Sequence, residues 1–160
     1  MKINKIAIIG LGYVGLPLAV SLCKSFKVLG FDINKKRIRE LRSGKDSTNE
    51  VSSVNLKMSM TRNLNITSEE DDLSNCNIYI VTVPTPVTKS NQPDFSYLRN
   101  SCKMIGSKMK KQSIIIFEST VYPGATQDIC GKEIEKASGM IMEKDFFLGY
   151  SPERINPGDK

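Results

Sequence analysis

The sequence predicts an α/β fold, a doubly wound and mainly parallel sheet with helices on both faces. Three observations point to it. Short continuous apolar runs recur along the chain, as in Ile6-Ala7-Ile8-Ile9, Ile78 to Val83 and Ile114 to Phe117, the pattern of strands buried on both sides. Segments with apolar residues at helical spacing separate these runs. Glycine and proline punctuate the junctions, ending one element and opening the next. Strands that alternate with helices are joined by right-handed crossovers, which gives a parallel sheet covered on both faces.

Taken in order, Ile6 to Ile9 is the first strand, and a glycine turn leads into a helix from about Val14 to Phe26. Val14, Leu18 and Leu22 form its apolar stripe, and Pro17 falls in the first turn, where a missing N–H costs little. Lys27 to Phe31 reads as the second strand, ending at Asp32. Asn34 is placed to cap a helix through Arg42, with Ile38 and Leu41 inward and Gly44 as its stop. Glu50 to Thr61 is a weaker helix and Asn63 to Thr67 a short strand. Ser68 followed by Glu69, Glu70, Asp71 and Asp72 reads as a helix start, since carboxylates complement the helix dipole there. Ile78 to Val83 is a buried strand ended by Pro84 and Pro86. Asp94 to Lys110 is helical, Ile114 to Phe117 is a strand, and Pro123-Gly124 turns into a helix near Ala125 to Ala137. Phe146 to Tyr150 is the last strand.

A chain of 160 residues, 39% hydrophobic and 25% charged, fits a single globular domain over residues 1–160. The formal net charge of +6 is concentrated in Lys35-Lys36-Arg37-Ile38-Arg39 and between Lys103 and Lys111. Both stretches carry apolar residues at helical intervals and read as solvated helix faces. They lack aromatic interleaving, so no nucleic-acid partner is expected. Ile6 to Cys23 carries no charge and approaches the length of a membrane span, but Gly10, Gly12, Gly15 and Pro17 interrupt it. Neither a membrane association nor a signal peptide is expected. The four cysteines, Cys23, Cys76, Cys102 and Cys130, form no Cys-x-x-Cys pair, and histidine is absent. A metal site and a His-activated nucleophile are therefore not expected. Scattered cysteines of this kind suit a reducing cytoplasm.

Gly10-Leu11-Gly12-Tyr13-Val14-Gly15 fits G-x-G-x-x-G, placed between a strand and a helix. In a Rossmann-type domain the first glycine makes the tight turn. The second lets backbone approach a pyrophosphate, and the third lets helix and strand pack closely. The helix N-terminus then offers N–H donors to the phosphates. Asp32, about 20 residues on at the end of the second strand, is placed to accept hydrogen bonds from a ribose and to repel a 2′-phosphate, which selects NAD over NADP. Arg37 argues weakly the other way, because a nearby arginine can serve NADP, but it lies within the following helix rather than directly after Asp32.

Three further strand ends carry distinctive residues: Val83-Pro84-Thr85-Pro86, Glu118-Ser119-Thr120-Val121 and Ser151-Pro152-Glu153-Arg154. Each alone is an ordinary turn or cap. Together they fall at the sheet edge where ligands of open α/β folds bind. Read with Gly-Leu-Gly-Tyr-Val-Gly-Leu-Pro, with Glu-Ser-Thr-Val-Tyr-Pro-Gly and with Ser-Pro-Glu-Arg-Ile-Asn-Pro-Gly, the chain resembles the UDP-glucose and UDP-N-acetylhexosamine 6-dehydrogenase family from Lys5 to Lys160.

That resemblance implies oxidation of a UDP-sugar C6 hydroxyl to a carboxylate in two NAD-dependent steps, through a thiohemiacetal and a thioester on a cysteine. It implies Tyr13 and Val14 over the pyrophosphate, with Asp32 and Arg37 at the adenosine end. Thr85 and Thr120 would line the cofactor channel, and Thr120 would also help hold a catalytic water or lysine. Glu153 would act near the reacting carbon as a base or water-positioning group, and Arg154 and Ile155 would begin the substrate-binding stretch. Arginine after the glutamate resembles the branch acting on UDP-N-acetylhexosamines for capsule and O-antigen synthesis, with UDP-glucose as the alternative. The family's nucleophilic cysteine, its catalytic lysine and asparagine, its central helix and its UDP-binding domain match nothing here. Residues 1–160 are thus expected to be the N-terminal NAD-binding domain of a longer, homodimeric enzyme, inactive alone. A non-catalytic nucleotide-binding module is the remaining alternative.

Overall fold

The computed structural model describes residues 4–86, 93–118 and 126–151, without the side chains of residues 126 and 127. Six strands form one sheet: β1 (Ile6–Ile9), β2 (Val28–Phe31), β3 (Leu64–Thr67), β4 (Ile78–Val81), β5 (Ser113–Phe117) and β6 (Phe146–Tyr150). Every pairing is parallel, in the order β3-β2-β1-β4-β5-β6. This is the doubly wound arrangement that the apolar runs predicted, and the order reverses direction between β1 and β4. Ile9 stands level with Phe31 on one side and Val81 on the other, so three strand ends open at one height.

The strands alternate faces with a period of two. Ile6, Ile8, Val28, Ile78 and Ile80 join one core with α1 (Gly15–Leu22), α2 (Lys35–Arg42) and α3 (Ser53–Arg62). Ala7, Ile9, Leu29, Phe31, Tyr79, Val81, Ile115 and Phe117 join the other, with α4 (Ser96–Lys108) and α5 (Lys132–Ser138). Burial on both faces explains why β1, β2 and β4 read as unbroken apolar runs rather than alternating ones.

Two helices start later than periodicity suggested, one of them at a side-chain cap. Asn34 Oδ1 accepts from the Lys36 and Arg37 N–H groups and opens α2 as expected. Ser52 caps α3 by accepting from Asn55 N, which moves its start from Glu50 to Ser53. α4 begins at Ser96 rather than at Asp94, with Phe95 at its N-cap and no side-chain cap; Asp94 Oδ1 accepts from Ser96 N just before it. After β3 the acidic run forms only a 3₁₀ turn, Glu70–Asn75. Its entry is held by Thr67, not Ser68: Thr67 Oγ1 accepts from Glu69 N and donates to Asp72 Oδ2. The helix expected from Ala125 begins as a π-helical turn, Thr126–Gly131, that passes into α5.

The basic stretch at residues 35–39 needs one correction. Lys35, Lys36 and Arg39 are exposed, as a solvated face requires, but Arg37 is buried. Its helical position turns it under the glycine loop, where hydrogen bonds and a carboxylate offset the cost of burying a charge. Among the described residues, no helix is long and apolar enough to cross a membrane.

Candidate nucleotide-binding site

The site is built at the carboxyl ends of β1, β2 and β4. The chain leaves β1 at Gly10, whose φ of +96° excludes a side chain without strain. Gly10 N donates to Phe31 O at 2.9 Å, tying the turn to the end of β2. Leu11 then tucks fully beneath the loop and against Gly30, where an added Cβ would lie 3.0 Å from Leu11 Cδ2. At Gly15 a Cβ would overlap Gly10 O and lie 2.5 Å from Thr82 Oγ1, so only glycine lets α1 start this close to the turn. At Gly12 a Cβ would meet nothing within 4 Å. The fold therefore needs Gly10 for its turn and Gly15 for its helix contact, while Gly12 leaves open space beside the loop.

Both sides of the Leu11 peptide are held. Its N–H donates to Asp32 Oδ2 at 2.9 Å, and its carbonyl accepts from Arg37 Nε at 2.9 Å. Asp32 Oδ1 accepts from Asn34 N at 2.9 Å. Each Asp32 oxygen keeps lone-pair capacity for a second donor such as a ribose hydroxyl. From β4, Thr82 closes the other flank. Its hydroxyl lies 3.1 Å from Ile9 O and 2.8 Å from Gly10 O, and its N–H donates to Ile9 O.

The N-terminus of α1 carries no side-chain cap and no acidic residue in its first turn. Gly12, where an added Cβ would meet nothing within 4 Å, stands just before this helix start, and Tyr13 beside it is half-exposed. An uncapped helix start beside a position cleared of side chains is what an anionic diphosphate requires. Together with the Asp32 carboxylate, it fits a dinucleotide.

Arg37 was expected at the adenosine end, and it is beside Asp32, but already engaged. Besides Leu11 O, it donates through Nη1 to Ser47 Oγ at 3.0 Å and meets Asp46 Oδ1 at 2.7 Å through Nη2. Asp46 accepts further from Thr48 N and Oγ1 and from the Glu50 and Val51 N–H groups. Burial pushes its carboxyl pKa up, but the hydrogen bonds from Thr48, Val51 and Arg37 outweigh that and hold it at about 2. Sequence reading missed Asp46, Thr82 and the brace on Leu11. The one local signal was the Asp46-Ser47-Thr48-Asn49 run after Gly44, a turn composition.

The remaining motifs begin at the same edge. Thr85 is half-buried just beyond β4. Glu118 N donates to Val81 O, and Ser151 N donates to Phe117 O at 3.0 Å, so the second and third motifs emerge beside the first. Thr120, Glu153, Arg154 and Ile155 lie outside the described residues. All four cysteines are buried as free thiols, Cys23 at the end of α1 and Cys130 in the π-helical turn. Burial raises the Cys76 pKa to about 11. Hydrogen bonding to Cys130, together with burial, raises that of Cys102. Neither environment favours the reactive thiolate.

Comparison with known proteins agrees with this geometry. Residues 4–160 match the family described as "UDP-glucose/GDP-mannose dehydrogenase family, NAD binding domain". The chain is 54% identical over its whole length to UDP-N-acetyl-D-glucosamine 6-dehydrogenase of Pseudomonas aeruginosa, covering 37% of that protein. It is 50% identical to Protein CapL of Staphylococcus aureus over 98% of the chain and 36% of CapL. The chain thus spans a little over a third of the curated relatives it matches. Among solved structures, UDP-D-ManNAc dehydrogenase from Pyrococcus horikoshii superposes with a TM-score of 0.89 at 32% identity, over 96% of this chain and 37% of that one. A ternary complex of GDP-mannose dehydrogenase from Pseudomonas aeruginosa gives 0.86 at 26% identity, over 95% and 36%. The chain belongs to the UDP-glucose/GDP-mannose dehydrogenase family, over the domain that binds NAD.

Proposed function

We propose that the chain is the NAD-binding part of a UDP-N-acetylhexosamine 6-dehydrogenase, which oxidises the sugar C6 hydroxyl to a carboxylate for surface polysaccharide synthesis. The observation that carries this reading is the 54% identity across the whole chain to a UDP-N-acetyl-D-glucosamine 6-dehydrogenase. A second protein of that name, from Salmonella typhi, is 51% identical over 98% of the chain. UDP-glucose is the competing substrate. The activity, the UDP-sugar and a homodimeric, cytoplasmic state belong to the proposal for the whole enzyme.

Alcohol to carboxylate is a four-electron oxidation, and bound NAD would accept two electrons in each of two steps. The chain's own residues supply binding and orientation. Gly12, Tyr13 and Val14 would present backbone to the pyrophosphate at the start of α1. Asp32 would accept from the adenosine ribose, with Arg37 behind it. Thr85 and Thr120 would line the path to the nicotinamide. Thr120 and Glu153 would hold or move protons and water near the reacting carbon, and Arg154 and Ile155 would begin the sugar-nucleotide contact. Residues 1–160 would supply the dinucleotide contacts of this reaction.

Two measurements test this. Calorimetric titration with NAD should show binding that Asp32→Ala abolishes or reduces strongly; equal binding by the variant would remove the assigned ribose contact. The chain should then be joined to the remaining two thirds of the Pseudomonas relative and NADH formation followed with each UDP-sugar. Faster turnover of UDP-N-acetylglucosamine than of UDP-glucose is expected, and the reverse preference would overturn the substrate assignment.

A further inference from the structure

Arg37 poses a problem that NAD binding alone does not solve. A guanidinium beside the ribose-binding carboxylate is the group that would attract the 2′-phosphate of NADP. Here it is 8% exposed and lies directly behind the glycine loop. Its partner Asp46 sits 2.7 Å away with a side chain 1% exposed. The Asp46 carboxylate is in turn fixed by four hydrogen bonds from within its own loop. That loop turns tightly enough to place Asn49 at a φ of +58°. Ser47 and Thr48 take further guanidinium N–H groups, and Ser47 passes the contact on to Glu40 Oε2. A loop whose backbone converges on one buried carboxylate, aimed at one buried guanidinium, amounts to a built counter-charge.

We infer that Asp46 is a specificity-determining residue, neutralising and orienting Arg37 so that the adenosine end of the site accepts a ribose hydroxyl and rejects a 2′-phosphate. Asp46 does not touch the cofactor; it is a positioning residue that acts through Arg37. Asp32, Asp46 and Glu40, the last reached through Ser47, set three carboxylates against the single guanidinium of Arg37, so the adenosine end is net negative. Without Asp46 one of these negative charges is gone while the guanidinium stays behind the loop, and repulsion of a 2′-phosphate weakens. The Leu11 carbonyl gives Arg37 a second duty, because it holds the loop in place whichever dinucleotide is bound.

This inference rests on the NAD-binding reading, and the experiment separates the two. The affinities of the chain for NAD and NADP are measured by calorimetry for the wild type, Asp46→Asn, Asp46→Ser and the double variant Arg37→Gln/Asp46→Asn. Thermal denaturation without ligand checks that each is folded. Asn preserves the size of the side chain, while Ser keeps an acceptor for the turn if Asn disturbs it. In both single variants the NADP:NAD affinity ratio should rise about tenfold at low salt, and the gain should shrink as ionic strength rises. In the double variant, where the guanidinium is also gone, the ratio should return toward the wild-type value. A wild type that binds neither dinucleotide would defeat the NAD reading itself. A wild type that binds NAD, with the ratio unmoved in both folded single variants or still raised in the double variant, would overturn the role assigned to Asp46.

Discussion

Gly12 and Gly15 lie three residues apart in the same loop, yet replacing each with alanine should produce opposite phenotypes. At Gly15 the new methyl would overlap Gly10 O and press on Thr82 Oγ1 at 2.5 Å. Neither neighbour is the end of a flexible side chain. One is backbone locked at φ +96°, and the other is a hydroxyl bonded to Gly10 O and Ile9 O. Relief requires α1 to move away from the sheet, at an overpacking cost of about 1–3 kcal/mol. Loss of the Thr82–Gly10 hydrogen bond adds about 1 kcal/mol. The better helix propensity of alanine returns somewhat less than 1 kcal/mol. Gly15→Ala should therefore destabilise the ligand-free chain by about 1–3 kcal/mol, and NAD binding should fall with it. At Gly12 the methyl meets nothing within 4 Å, and φ is not positive, so the ligand-free chain should keep its stability. The same methyl would occupy the approach to the pyrophosphate, and NAD affinity should drop tenfold or more, about 1.4 kcal/mol at the least. Urea denaturation and calorimetric titration of both variants provide the assay. If Gly12→Ala bound NAD as tightly as the wild type, or destabilised the chain as much as Gly15→Ala, the division of roles among the glycines would be wrong.

Other expectations follow from the same geometry. Thr82→Val removes the hydroxyl that satisfies Gly10 O and should cost about 1 kcal/mol of stability, along with some NAD affinity, while Thr82→Ser should restore both in the same titrations. Gly30→Ala would push Leu11, and with it the peptide held by Asp32 and Arg37, so NAD affinity should fall although Gly30 is buried in β2 and away from the ligand. The Asp46 pKa lies at about 2, below the ordinary 3.8. Its contribution to stability is therefore complete above about pH 4 and is lost as the pH falls through the folded value, a change of about 2 kcal/mol. Asp46→Asn should remove that component from the pH dependence of chemical denaturation between pH 4 and 2, and an unchanged acid limb would contradict the hydrogen-bonding set assigned to Asp46.

Much of the fold was legible because its signals are local. Apolar runs mark strands wherever both faces of a sheet are covered, and the period of two divides Ile6 and Ile8 from Ala7 and Ile9 between the cores. The glycine loop was equally plain, since turn, approach and helix contact are separate demands on neighbouring residues. Helix boundaries were less legible. Whether Ser68 or Thr67 holds the start of the 3₁₀ turn depends on which hydroxyl reaches both Glu69 N and Asp72, and composition does not distinguish them. The motifs that begin at Glu118 and Ser151 were read as converging on one edge, and these two residues stand there, on the ends of adjacent strands.

By itself, then, the sequence determined the alternation of elements, the nucleotide loop with its Asp32 partner and the family to which these belong. Each is a short-range pattern imposed by backbone geometry or by the ligand. Tertiary structure alone decided how the loop is braced. Thr82 comes to Gly10 because β4 pairs with β1 across the switch in strand order, and Arg37 comes to Leu11 because α2 packs beneath the loop. In the sequence Arg37 belonged to a basic stretch that reads as a solvated helix face, although the resemblance set it at the adenosine end. It is buried because the turn after α2 carries a carboxylate to meet it, and a charge leaves water only where the folded chain supplies its counterpart.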